Sequence, residues 1–187
     1  MKAGLILLLL LKMAAGPVNT LPPPAGFSPG FPGPEWRQAA QKHGVDPLLL
    51  YAVAIRESGR NVGKDKVAPC PHALHFNGSR VAFYANSRTE AEQLLNLALP
   101  ITENVDIGMA QVNWKSHKDK VKQPHDLLDP KTNLEVASRI LSEALASTPD
   151  KELGVGRYNS WNEQKARRYG REVLILYQAI KDAVKGG

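Results

Sequence analysis

Glu57 is the first residue in the chain whose placement asks for a chemical explanation. In "YAVAIRESGRN", residues 51–61, it follows Leu50, Val53 and Ala54 by seven, four and three positions, which puts all four on one helical face. A carboxyl in apolar surroundings prefers its neutral form, and the last turn of a helix, with its partial negative charge, pushes the same way. Both effects keep a proton on the group near neutral pH, as a general acid for glycosidic cleavage requires. The alternative is a glutamate that swings outward or pairs with Arg56 or Arg60, since charged residues are common at helix ends.

Two later clusters carry further candidates: "NVDIGMAQVNW" (104–114) and "GRYNSW" (156–161). Gly108 supplies a backbone angle closed to other residues, or is part of a site. Gln111 and Asn113 either bond loop carbonyls, the usual work of buried amides, or face a ligand. Tyr158 and Trp161 sit at helical spacing, where aromatic residues are more often core than cleft, and Trp114 suits a sugar or a neighbouring helix equally. A hydrolase of the common kind needs a second carboxylate, and Asp65, Glu103 and Asp106 are the nearest candidates. Asp106 lies inside the middle cluster, where capping a turn is the favoured role. "CPHALH" offers Cys70, His72 and His75, but the spacing fits no common zinc pattern and Pro69 and Pro71 bracket the cysteine. These are read as loop residues; neither metal nor cofactor is expected. Cys70 is the sole cysteine, so no internal disulfide forms.

The elements that must position these residues are mostly helical. "PEWRQAAQKHG" opens with Pro34 and stops at Gly44, and Asp46 with Pro47 starts the helix that Gly59 ends after Glu57. "ALHFNGSRVAFYA" holds two strand-like runs around Asn77-Gly78, a strong hairpin signal. Ser87 and Glu90 are spaced as a capping box for the next helix. Asp129 and Pro130 start a long helix reaching about Ala146, and Asp150 caps a short one. Glu163 to Val184 reads as the last helix, with Tyr169, Val173, Leu176, Tyr177 and Ile180 on one stripe. The fold class expected is mainly α, a helical domain with one small inserted β-hairpin.

At 187 residues the chain suits one domain, and its 43% apolar and 22% charged residues are near globular averages. Lys2, the apolar run from Ala3 to Leu11 and the small residues that follow predict a signal peptide or N-terminal anchor over 1–16, too short to span a membrane. Residues 17–33 read as a Pro/Gly-rich linker, leaving 34–185 as the folded domain. The net charge of +6 favours acidic partners, among them nucleic acid, anionic lipid and the bacterial wall. The densest basic run, "KARRYGR" (165–171), is flanked by Glu163 and Glu172 and reads as a solvated helix face; no nucleic-acid partner is expected.

The ordered trio "ESGRN", "NVDIGMAQVNW" and "GRYNSW" resembles the lytic transglycosylases with an SLT catalytic domain, over roughly residues 35–180. The style of the middle motif is similar to members carried by conjugative elements and type IV secretion systems. The resemblance implies an α+β lysozyme-like fold, peptidoglycan as substrate, a periplasmic or envelope location and partners in a secretion or conjugation apparatus. It assigns Glu57 as the catalytic acid and base, with Ser58 beside it. Met109 and Gln111 fall on the motif's leucine and glutamine, and Tyr158 and Asn159 on its Tyr-Asn pair; with Asn113 these are the substrate-binding candidates. In such enzymes the tyrosine hydroxyl lies near the catalytic carboxyl. Ala110 departs from the methionine many members carry, Arg157 replaces an alanine, and the interval from Glu57 to Gly108 is long. Two competing readings are a wall-binding or assembly module without the chemistry and, if a second carboxylate faces Glu57, a lysozyme-type hydrolase.

Overall fold

A computed structural model describes residues 32–63, 67–78 and 82–185. The signal or anchor reading, nearly all of the linker, Asp65 and the hairpin tip at 79–81 lie outside the described residues. Seven α-helices are present among the described residues, with small sheets inserted between the second and the fourth.

Helix α1 (Pro34–Lys42) begins on a proline, carries Glu35 in its first turn and gives way to Gly44 at φ +67°. Helix α2 (Pro47–Ser58) is capped by Asp46, whose side chain accepts from the Leu48 N–H. Leu49 to Ile55 are all buried, so α2 has no polar face; it is the central helix of the domain. The single apolar stripe expected from sequence is therefore only part of what surrounds this helix.

The inserted segment is richer in strands than one hairpin. Strand β1 (Gly59–Asn61) pairs antiparallel with β2 (Val67–Pro69). The expected hairpin is formed by β3 (Ala73–Phe76) and β4 (Ala82–Tyr84), in the register Ala73↔Tyr84 to His75↔Ala82. Helix α3 (Arg88–Ala98) follows; Ser87 accepts from the Glu90 N–H, but Glu90 reaches back to the Asn86 N–H, one residue further than a capping box. The middle motif then adds β5 (Val105–Ile107) and β6 (Val112–Asn113), giving a sheet ordered β4-β3-β5-β6. Strands of two or three residues show no alternation in sequence; they exist because β3 offers its second edge to β5.

Helix α4 (Trp114–His117) and two 3₁₀ turns lead to α5 (Pro130–Ala146), capped by Asp129 through the Thr132 N–H. Helix α6 (Lys151–Gly156) is capped by Asp150, and α7 (Glu163–Lys185) closes the domain. The α6–α7 crossing is close: a Cβ on Gly156 would collide with the Ala166 carbonyl. On α7, Tyr169, Val173, Tyr177 and Ile180 are buried and Leu176 is partly buried against the core.

Helices α2 and α7 run antiparallel, tied at both ends by tyrosines of the α7 stripe. Tyr177 Oη donates to Asp46 Oδ2 at 2.6 Å, at the start of α2. Two turns earlier on α7, Tyr169 Oη donates to Glu57 Oε1 at 2.5 Å, at its end. The helix that carries the acid is thus held against the helix that supplies its hydrogen-bond donor.

Candidate active site

Glu57 opens onto a cleft of about 540 Å³ between the small sheet and the helices. The sheet wall contributes Asn77, Asn104, Asp106, Gln111 and Asn113. Ile140, Glu143 and Ala144 of α5, His117 of α4 and, from the α6–α7 connection, Arg157, Tyr158, Asn159 and Trp161 complete the lining. These groups come from stretches far apart in the chain, and the fold alone assembles them into one cleft.

The Glu57 side chain stays partly accessible through the cleft, yet protein crowds it on the remaining sides. That burial raises its pKa from the ordinary 4.5 to about 7. The Tyr169 hydrogen bond, the positive charge of Arg56 and the proximity of His75 work against the rise, while Asp106 adds to it. Desolvation outweighs the rest, so near neutral pH the carboxyl is poised between its two forms.

Tyr169 touches the acid; Tyr158 does not. The Tyr158 hydroxyl donates instead to the Ala110 carbonyl at 2.7 Å, and its ring stacks on Tyr169 with centroids 6.5 Å apart and planes at 18°. Burial and the neighbouring Glu57 carboxylate push both phenols well above their usual pKa, so each remains a donor throughout the working range. Arg56 lies over the Tyr169 ring at 5.6 Å and bonds Glu172 at 2.8 Å, which further confines the ring. The sequence places Tyr169 on the core stripe, and correctly so, for it is 4% exposed; only its hydroxyl reaches the site. Tyr169→Phe should drop turnover roughly tenfold and move the alkaline limb of the pH–rate profile upward, because the hydrogen bond it removes favours the ionised carboxylate. An unmoved limb would mean that the contact does not govern the proton.

Ser58 and Met109, expected beside the substrate, are both buried and neither lines the cleft. Ser58 is 1% exposed; its hydroxyl donates to the Met109 carbonyl at 2.6 Å and accepts from the Cys70 N–H at 3.0 Å. Met109 is buried in the core cluster, because the turn it sits in points its side chain inward. Together they lock the end of α2 to the middle motif. Gln111 and Asn113 line the cleft but also hold it together. Gln111 Nε2 donates to the carbonyls of Gly108 and Ala73, and Asn113 Nδ2 to Asp106 Oδ1 and Asn104 Oδ1. Gln111 takes φ +48° and Gly108 φ +80°, so the motif is a tight left-handed turn between β5 and β6. A Cβ at position 108 would collide with the Asn133 amide and the Leu127 carbonyl.

That amide is a buried clamp on the turn that the motifs do not point to. Asn133, on α5 and 1% exposed, donates to the carbonyls of Ile107 and Leu127 and accepts from the Ala110 N–H. The rule that singles out Glu57 finds it too: Ala137, Ile140 and Ala144 follow it at four, seven and eleven positions, a polar residue on an apolar stripe.

Of the carboxylates considered as a second acid, Glu103 pairs with Lys118 at 3.2 Å outside the cleft. Asp106 does line it. Both its oxygens are engaged: Asn77 Nδ2 at 2.8 Å and His75 Nδ1 at 3.2 Å on Oδ2, Asn113 Nδ2 at 2.7 Å on Oδ1. Glu143 also lines the cleft, held by Arg139 at 3.0 Å and Lys120 at 3.6 Å; nothing in its helical context marks it in sequence. Cys70 is buried between β2 and β3, and His75 turns to Asp106, so the "CPHALH" residues do not converge.

A glutamate with a raised pKa at the end of a central helix, opening on a polar cleft beside a small sheet, sits in a domain of the mainly α, lysozyme-like type. The model of the transglycosylase SLT domain family matches residues 34–173, and the chain belongs to that family. Membership carries lytic transglycosylase activity on peptidoglycan. No curated protein matches the chain.

Proposed function

We propose that Glu57 alone runs both halves of the reaction at the β-1,4 bond between N-acetylmuramic acid and N-acetylglucosamine. Its proton passes to the bridging oxygen as the bond from C1 to that oxygen breaks. The substrate's own N-acetyl group steadies the cationic C1, and the C6 hydroxyl then attacks C1 and returns its proton to the carboxylate. A 1,6-anhydromuramic end forms and no water is consumed. The observation that carries this reading is a single carboxyl raised to about 7, hydrogen-bonded by Tyr169 and open to the cleft. One group near neutrality serves as acid and then base with little driving force sacrificed in either step. Gln111, Asn113, Tyr158 and Asn159 are the polar and aromatic lining proposed to meet the sugar chain.

A hydrolytic reading has one observation in its favour, that Asp106 shares the cleft with Glu57. Three N–H groups already occupy Asp106, which suits a fixed charge better than a base that must take a proton from water. Mass spectrometry of the soluble products from purified peptidoglycan separates the two. Anhydro-muramyl ends support the proposal; reducing ends that depend on Glu57 support hydrolysis; wall binding without products supports the module reading.

Export to the periplasm or cell envelope is proposed from the charged and apolar N-terminal residues, and local wall opening for a secretion or conjugation apparatus from the style of the middle motif. Membrane-fraction tracking of the tagged chain tests the first, and co-purification with envelope-spanning complexes tests the second.

A further inference from the structure

Trp161 is the most exposed large apolar side chain among the described residues, 71% accessible, and it lines the cleft. Sequence spacing favours the core for it; the structure puts it at the rim. At the mouth of a cleft, an indole this open offers a flat apolar face that a ligand can cover. One covering is already present: the Arg157 guanidinium stands 5.1 Å from the ring centroid. Arg157 does not need the indole for its own satisfaction, since it donates to both the carbonyl and the hydroxyl of Ser147 at 2.8 Å. The guanidinium is anchored from below and the ring rests on it.

This arrangement restricts what the ring accepts. A fixed cation on one face leaves only the opposite face for a ligand, and its charge disfavours a cationic one. The connection that carries the ring is also stiff. Tyr158, Asn159 and Ser160 donate their N–H groups to Val155 and Gly156, while Asn162 accepts from the Lys165 N–H and donates its own N–H to Ser160 Oγ. A flat apolar surface held in place at the rim of a cleft loses little entropy on binding. Asn159 lies beside it in the same lining, with polar atoms suited to ring hydroxyls or an acetamido group.

We propose that Trp161, backed by Arg157, is a stacking platform for an N-acetylated pyranose ring of the glycan strand at the exposed rim of the cleft. The inference deepens the glycan-cleaving reading of the site and rests on it. The apolar face of the sugar ring covers the open face of the indole, and its hydroxyls keep their contact with water and Asn159. Arg157, where relatives are expected to carry alanine, acts as a positioning residue for the indole.

The test is calorimetric titration of peptide-free peptidoglycan glycan strands into the full chain carrying Glu57→Gln, so that binding is read without cleavage. Adding Trp161→Ala should weaken binding roughly tenfold, and Trp161→Phe should restore most of it, because a phenyl ring still stacks. Equal affinity for the alanine variant and its Glu57→Gln parent overturns the platform and leaves the proposed reaction standing. A Phe variant as weak as the alanine one also overturns it, since an aromatic face at this position then does not hold the sugar. A Glu57→Gln parent that binds no strands overturns the platform and the glycan-cleaving reading together.

Discussion

Glu57→Gln is expected to end anhydro-product formation, by about a thousandfold or more, and at the same time to make the protein more stable above pH 7. The first effect follows from removing the proton donor of the proposed reaction. The second follows from the direction of the pKa shift. Folding raises the carboxyl from 4.5 to about 7, so between those values the folded state keeps a proton that the unfolded chain has released. Stability therefore falls as pH rises through that window, and above about 7 the whole penalty of burying a carboxylate is present. With the partial exposure of the side chain discounted, that penalty is roughly 2 kcal/mol. Glutamine carries none of it and its carbonyl still accepts from Tyr169. Melting curves at pH 5 and pH 8 read the difference: the variant should gain about 5 °C over the parent at pH 8 and much less at pH 5. An equal gain at both pH values would show that the carboxyl is not held protonated, and the general-acid role would fall with it. In turnover, the same proton predicts activity that declines as pH rises through about 7.

The second large effect is expected at a residue that touches no substrate. Asn133→Ala removes two donors and one acceptor from a site 1% exposed, leaving the carbonyls of Ile107 and Leu127 and the Ala110 N–H without their partner. Each buried group left unmatched is worth about 1–3 kcal/mol, so a loss of about 3–5 kcal/mol is expected in urea unfolding. Any variant that still folds should cleave poorly, because Ala110 also receives the Tyr158 hydroxyl and the turn it belongs to carries Gln111 into the cleft. Asn133→Asp separates the two donor bonds from the acceptor one: it keeps the Ala110 contact while facing an oxygen to two carbonyls. A loss under about 1 kcal/mol for the alanine variant would mean the turn stands without its clamp.

Much of the helical frame is legible in the chain itself. Asp46, Ser87, Asp129 and Asp150 announce their helices because a cap is a local contact between a short polar side chain and N–H groups two or three residues on. The last helix shows its buried stripe because 3.6-residue periodicity survives in a long segment. The sheet is half visible. A hairpin joined by a tight turn is local, whereas β5 lies some thirty residues from the β3 edge it completes, and no short-range signal reports such a pairing.

The site divides along the same line. By itself the sequence determined that an acid ends the second helix in apolar company, that Gly108 was a candidate for a backbone angle closed to other residues, and that the ordered motifs resemble one catalytic family. Only the tertiary structure decided which tyrosine meets the acid, that Ser58 and Met109 face inward, that Asn133 clamps the turn, and that Trp161 stands open at the rim. The reason is physical: propensities, caps and periodicity act within a few residues, while a hydroxyl 112 positions away reaches Glu57 only through antiparallel packing of two helices. Chemistry could be suspected from residue type and face, but the partner that tunes it is chosen by packing.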